Sequence, residues 1–415
     1  MRLTKEEREM LRGDRGPACR EALTRQMAVG GFFGAKDFVR VRSAHVHCDM
    51  EAVDDPGLDY IEALAASGAQ CVIPLTTDPR SVDFAFAGEL KQDPALVRKE
   101  QRVVAALLKM GAVPCNTCIT YQSVDQPVFG EHLAWGDTGV VIYANAVGGA
   151  RSNYEGGPSA IWAALTGRTP RYGYHLDACR RGTVRVDLQV KPRSVSDWGA
   201  VGCLVGRRVN DYWQVPVLTG VANSPTPDAL KHLGAALASY GSLAMFHLVG
   251  ITPEARTLTE AFGGKTPPRN RLVVTARHLH QVYDSFVPEK SQPDVIVFGT
   301  PQLSLYEIRE LAALFKGRRV KEGVTVLLTT NRFFKDMADQ LGYTATITAS
   351  GAKVLTGVCF YLMAARELAR RNGFRTLLTD SAKLANTVAG YGYNTVFRPT
   401  AACVEAAVAG RVLGG

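Results

Sequence analysis

The last third of the chain repeats one grammar four times. VIVFG (295–299) runs into Thr300-Pro301-Gln302-Leu303-Ser304 and a helix, and VTVLL (324–328) runs into Thr329-Thr330-Asn331 and a helix. RTLL (375–378) runs into Thr379-Asp380-Ser381-Ala382-Lys383, and TVF (395–397) into Arg398-Pro399-Thr400. Strand, hydroxyl-rich loop, helix is the signature of an α/β fold with a parallel sheet flanked by helices. In such sheets ligands bind at the carboxyl ends of the strands, where these loops fall. Each hydroxyl or carboxamide there is also an ordinary helix N-cap. The loops therefore point to a site only as a group.

A chain of 415 residues has room for about two or three domains. GGKTPPRN (263–270) and PEKSQP (288–293) are turn-rich boundaries. They predict an N-terminal α/β catalytic region over 1–290, with room for two subdomains, and a C-terminal parallel α/β domain over 291–415. The start, MRLTKEEREML, lacks the apolar core of a signal peptide, and no run of membrane-spanning length follows. We expect a cytoplasmic, enzyme-like protein. Its nine scattered cysteines read as reduced thiols, some of them available to a metal. The formal charge of +9 fits a solvated basic face or the steering of an anionic substrate. No nucleic-acid-binding motif accompanies it, so no nucleic-acid partner is expected. G-x-G-x-x-G and G-x-x-x-x-G-K-[ST] are both absent, which leaves a dinucleotide site and a P-loop unsupported.

Earlier in the chain, FVRVRSAHV (38–46) alternates as a strand. Period-two geometry puts His45 and His47 on one face, either as a metal pair or as polar residues at a strand end. Gln70–Pro74 reads as a buried strand opening into Thr76, Thr77 and Asp78, and Pro94–Met110 as an amphipathic helix. Gly139–Val147, apolar and β-branched, reads as a central strand, and Leu243–Val249 as another.

The stretch from Gly111 to Arg168 concentrates reactive side chains among glycines. Cys115 and Cys118 form C-x-x-C, followed by Tyr121, Glu131, His132 and Trp135. No second C-x-x-C completes a structural zinc site. Arg151, Asn153 and Glu155 sit in a glycine loop, where the arginine fork suits a carboxylate or a structural ion pair. Lys383 stands beside Ser381 at a helix start, as an anion-binding group, as a base if burial lowers its pKa, or as an ordinary surface lysine.

The chain resembles the catalytic, large part of aconitase X through nearly its whole length. The likeness runs through LTKEEREMLRG, RSAHV, PLTTDP, TCITY, FGEHLAW and ANAVGGARSNYEGGPSAIWAALTGRTPRYGYHL. It continues in FHLVGITPEA, FGTPQLSLYEI, LLTTNR, VLTGVC, TDSAK and VEAAVAGRV. The resemblance implies an aconitase-like, multi-domain α/β architecture and a hydro-lyase that dehydrates a small hydroxy acid. The best expectation is cis-3-hydroxy-L-proline, with phosphomevalonate as the alternative. It also implies an iron centre, mononuclear or a small iron–sulfur cluster, acting as a Lewis acid. Its ligands would be Cys118 in TCITY and Cys359 in VLTGVC.

A third ligand belongs to a G-C-P-H type of motif. Here the motif reads Gly299-Thr300-Pro301-Gln302, so Thr300 stands in the third metal position and Gln302 where a histidine is usual. TDSAK carries Asp380 where Asn is usual and Ala382 where Gly is usual. The family's small swivelling domain has no counterpart here, so a separate small subunit is expected as partner. The resulting candidates for catalysis are Lys383, Ser381 and Glu155. For substrate binding they are His45, Thr76, Tyr121, Glu131, His132, Arg151, Ser152, Asn153 and Asp380. Two rival readings are another lyase or isomerase reaction without an iron–sulfur cluster, and a non-catalytic subunit of a complex.

Overall fold

The computed structural model describes residues 1–412. Three parallel sheets carry the architecture. The first orders Leu75–Thr77, Ala44–Val46 and Ala134–Trp135 side by side. The second orders His247–Leu248, Pro216–Thr219, Val184–Gln189 and Arg271–Thr275. The third orders Lys353–Thr356, Thr325–Thr330, Val295–Leu303, Thr376–Thr379 and Asn394–Phe397. One antiparallel pair, Phe38–Arg40 with Arg168–Pro170, stands apart from them. The expected α/β class with helix-flanked parallel sheets is what forms. No helix among the described residues is long and apolar enough to cross a membrane.

The repeated grammar of the third sheet survives intact. Its strands are buried along nearly their whole length, as expected where helices cover both faces. Three of the helices that follow its strands are entered through a hydroxyl or amide residue, and the last, Thr400–Ala409, through Pro399. Ser304 caps Leu305–Phe315, Asn331 caps Arg332–Gln340, and Ser381 caps Ala382–Ala389. The strand Val295–Leu303 is longer than expected and shifts register between Phe298 and Leu303. Gly299 makes that possible: its φ is 107°, and a Cβ there would lie 2.4 Å from the Thr329 carbonyl oxygen.

Two expectations fail in the first half. Gly139–Val147 is not a strand but the helix Thr138–Tyr143, continued by a π turn over Ala144–Gly148. An apolar run buried on every side has no period to separate strand from helix. The deciding residue is Asp137, whose carboxylate accepts from the Gly139 and Val140 amides and so starts a helix. The strand expected at Gln70–Pro74 lies five residues later, at Leu75–Thr77. The long strand read over 38–46 divides into Phe38–Arg40 and Ala44–Val46, and Leu243–Val249 keeps only His247–Leu248 as strand.

Direct bonds lash the first sheet to the third. The Arg80 amide donates to the Gly357 carbonyl at 2.9 Å, and the Thr356 amide to the Asp83 carboxylate at 2.7 Å. Asn331 donates to the Thr117 hydroxyl at 3.2 Å. These bonds hold the 116–118 turn over the carboxyl ends of the C-terminal strands.

Candidate functional site

Cys118 follows that turn, and Cys359 follows the strand Lys353–Thr356. Their thiols meet in the buried seam between the two sheets. The Thr300 hydroxyl lies 3.3 Å from the Cys359 sulfur, and the Gln302 amide donates to the Cys118 sulfur at 3.3 Å. Ser381 donates its hydroxyl to the Thr300 carbonyl, which fixes the turn that presents Thr300. Burial, and then the neighbouring Cys359, push the Cys118 thiol well above its ordinary range. Two buried thiols in contact resist ionising together, and a cation between them is what would release their protons. The donor set therefore fits one iron ion, or a small cluster, held by two thiolates and a hydroxyl. A third thiolate is missing. Gln302 does not take the place of the usual histidine, because its side-chain amide donates to the Asn116 and Val358 carbonyls at 3.2 and 3.0 Å. Cys115 is separate and bonds the Thr77 carbonyl.

Beside this seam a cavity of about 360 Å³ opens to solvent. Its wall includes His47, Asp137, Gly156, Gly157, Tyr361 and Lys383. Lys383 donates to Asp137 at 3.2 Å and stands 5.6 Å from the centre of the Tyr361 ring. Burial opposes its charge, but Asp137 and the two cysteines outweigh that and raise its pKa. Lys383 is thus held as an ammonium ion, not prepared as a base. His47 comes from the end of the strand Ala44–Val46, and its Nδ1 lies 2.5 Å from Asp78. Two glycines let its backbone approach the wall. A Cβ on Gly136 would lie 3.1 Å from the His47 nitrogen, and one on Gly157 would lie 2.7 Å from its carbonyl oxygen. Asp78 also faces His45 at 3.2 Å, and the other nitrogen of His45 meets Thr76 at 2.8 Å. Burial opposes the charge of Asp78, but the two histidines hold its carboxyl down at about 2.

Side-chain atoms of His47, Asp78 and Asp137 lie within 4.8 Å of one another, close enough to bracket a cation. The Lys383 ammonium and the imidazole already supply that charge.

The structure thus brings Cys118, Cys359, Thr300, Ser381 and Lys383 together, with His45 and Thr76 one layer behind His47. It places the other candidates elsewhere. Arg151 pairs with Asp177 at 2.5 Å, and Glu131 pairs with Arg42 at 2.5 Å. The ring of His132 meets that of His175 at 2.9 Å, and burial, followed by the charge of Arg151, lowers His132 to about 4. Asn153 is buried between the Tyr172 carbonyl and the Tyr174 amide, and Ser152 between the Trp135 amide and the Asn153 carbonyl. The carboxylate grip expected at Arg151–Asn153 is therefore a set of internal contacts.

Glu155 accepts from Thr169 at 2.7 Å, and burial lifts it to about 7. Asp380 accepts from Thr400, and burial lifts it to about 6. Tyr121 stacks on Tyr143 with ring centres 3.9 Å apart. None of these eight side chains lines the cavity. Asp137 and Tyr361, which do, carried no sequence signal beyond an N-cap spacing that a strand assignment obscured.

The same arrangement recurs among known proteins. Family models for the first, second and third domains of aconitase X match residues 1–178, 182–284 and 293–409. The chain is 34% identical to the phosphomevalonate dehydratase large subunit of Methanothermobacter thermautotrophicus, over 94% of each. It is also 34% identical to the cis-3-hydroxy-L-proline dehydratase of Pseudomonas aeruginosa, over 100% of this chain and 71% of that one. The holo-form crystal structure of Thermococcus kodakaraensis aconitase X matches with a TM-score of 0.88 at 31% identity, over 98% of this chain and 100% of that one. All three family domains lie in order along the sequence, and relatives this similar are dehydratases, so the chain belongs to the aconitase X family of hydro-lyases.

Proposed function

We propose that this hydro-lyase dehydrates cis-3-hydroxy-L-proline or a closely related small hydroxy acid. The observation that carries the reading is the cavity itself. Its wall offers one ammonium and one imidazole and no arginine, a cation set sized for a single carboxylate. The second reading, phosphomevalonate, is favoured by extent, since this chain spans 94% of the large subunit it matches. A phosphate would ordinarily call for a bidentate arginine as well.

Dehydration takes a proton from the carbon next to the carboxylate and hydroxide from the carbon beyond it. Negative charge builds on the carboxylate as the proton leaves, and Lys383, fixed by Asp137, is placed to stabilise it. Ser381 positions Thr300 through its carbonyl. Iron held by Cys118, Cys359 and Thr300 would supply Lewis acidity to the carboxylate or hydroxyl. We assign a small subunit as partner, covering the open side of the cavity and excluding water. The relatives named as large subunits support that assignment.

The test is direct. The enzyme is purified anaerobically with its small subunit and offered both hydroxy acids, with iron measured alongside. Turnover of the hydroxyproline, lost on iron removal and restored on reloading, is the expected result. Turnover of phosphomevalonate alone would select the second reading, and full activity without metal would remove iron from the scheme.

A further inference from the structure

Two lysines are buried among the described residues, and the cavity accounts for only one of them, Lys383. The side chain of the other, Lys231, has no exposure at all. It comes from the helix Pro227–Gly241, which is buried on nearly every side. Asp228 lies one turn earlier on the same face, with an oxygen 3.5 Å from the ammonium. Glu307, from the helix Leu305–Phe315, accepts a hydrogen bond from Lys231. The other Glu307 oxygen lies 2.8 Å from His232, and the Ser304 amide donates to Glu307 at 2.8 Å. Burial opposes the charge of Lys231, but Glu307, then Asp228 and more weakly Cys118, raise its pKa, so it stays an ammonium ion.

A buried ion pair is a poor source of stability, because apolar side chains of similar volume often serve equally well. What sets this one apart is where the lysine's remaining bond goes. Nζ donates to the Gln302 carbonyl at 3.0 Å, and the Gln302 amide is the group that donates to the Cys118 sulfur at 3.3 Å. Gln302 closes the turn that begins at Thr300, whose hydroxyl faces Cys359. The Gln302 side chain is tied separately, to the Asn116 and Val358 carbonyls. Lys231 therefore grips the backbone of the residue that bonds the sulfur.

We propose that Lys231, held by Glu307, is a positioning residue for the metal seam: it keeps the Gln302 amide aimed at Cys118 and sets a positive charge behind that sulfur. The proposal rests on the iron reading above. Lys231 does not line the cavity, so it acts through Gln302 and not on substrate. An N–H donor and a nearby cation both draw charge off a thiolate, which favours the more reduced state of iron held there. Neighbours that fix a ligand also strengthen its grip on a metal. With Thr300 in the third position, two sulfurs must hold what three would share.

The experiment compares wild type with Lys231→Met and with Lys231→Met/Glu307→Gln, each carrying its small subunit and loaded with iron. The single variant leaves Glu307 buried without its cation. The double variant removes both charges, keeps the side-chain volume and leaves a carboxamide for His232 and the Ser304 amide. Three quantities are read: the melting temperature, iron affinity in competition with a chelator, and the midpoint potential of the bound iron. The double variant should melt near the wild-type temperature and bind iron about 10–100-fold more weakly. Its midpoint potential should fall by about 59 mV, the one-electron equivalent of a tenfold change in the ratio of reduced to oxidised iron.

Wild-type iron affinity and potential in the double variant would overturn the proposal and make the pair a matter of packing. So would weaker iron binding accompanied by a lower melting temperature and an unchanged potential. If Lys231→Met does not fold, the double variant alone decides the question. Wild-type protein that takes up no iron would overturn the iron reading instead.

Discussion

Single residues decide whether the proposed metal seam can work. Cys118 and Cys359 are each other's neighbours, so replacing either removes half the thiolate set. Cys118→Ser should lower iron content at least about tenfold in protein loaded under identical conditions, as measured by elemental analysis. Glu155 makes the opposite case. It was a catalytic candidate, yet its carboxylate faces Thr169 inside the fold. Burial lifts its pKa from 4.5 to about 7, so the folded protein holds a proton there that the unfolded chain releases. Stability from this group is full below about pH 4.5 and is lost as pH rises through 7. The loss is on the order of 3 kcal/mol. Glu155→Gln should therefore keep its turnover and flatten that decline, which urea unfolding at pH 5 and pH 8 will resolve.

What the sequence made legible at this scale was chemistry, not address. Thiols announce themselves, whereas Arg151 and Asn153 look alike whether they grip a substrate or Asp177 and the Tyr172 carbonyl.

At the scale of elements, the parallel strands of the third sheet were readable because a strand buried on both faces has no competing pattern in its flanks. The helix Thr138–Tyr143 was not. Its residues are all buried, so only the cap at Asp137 distinguished it from a strand. That cap does two jobs, since the same carboxylate holds Lys383 at 3.2 Å. The two can be separated. Asp137→Asn keeps a capping oxygen but abandons the lysine, and Asp137→Ala loses both. Leaving a buried ammonium unpaired should cost about 3–5 kcal/mol, and the lost cap about 1 kcal/mol more. Thermal melts of the two variants should differ in that order, and both should lose turnover because Lys383 is released. The strand at Leu75–Thr77 teaches a related lesson: the apolar run before it marked the approach, and pairing with Ala44–Val46 chose the register.

Across the whole molecule, the charge of +9 was legible from composition, and an anionic substrate should feel it. Raising ionic strength from 0.01 to 0.15 M shortens the screening length from about 30 to about 8 Å. We expect kcat/KM for the anionic phosphomevalonate, if it is turned over, to fall over that range while kcat holds, and kcat/KM for the zwitterionic hydroxyproline to stay nearly level, as steady-state kinetics at several salt concentrations will reveal. Which segments converge was not legible from periodicity, because the contacts between the first and third sheets are made by loop atoms around Arg80, Asp83 and Thr356.

That convergence bears on how the protein comes into being. Cys118 and Cys359 sit on either side of the entire second sheet in sequence, so their meeting is among the last contacts a growing chain can make. A ribosome must release the final strands before any ion finds both sulfurs. Iron held there would therefore reach a scaffold already nearly complete. Metal supply would then govern how much of the enzyme is active, with little influence on how much of it accumulates.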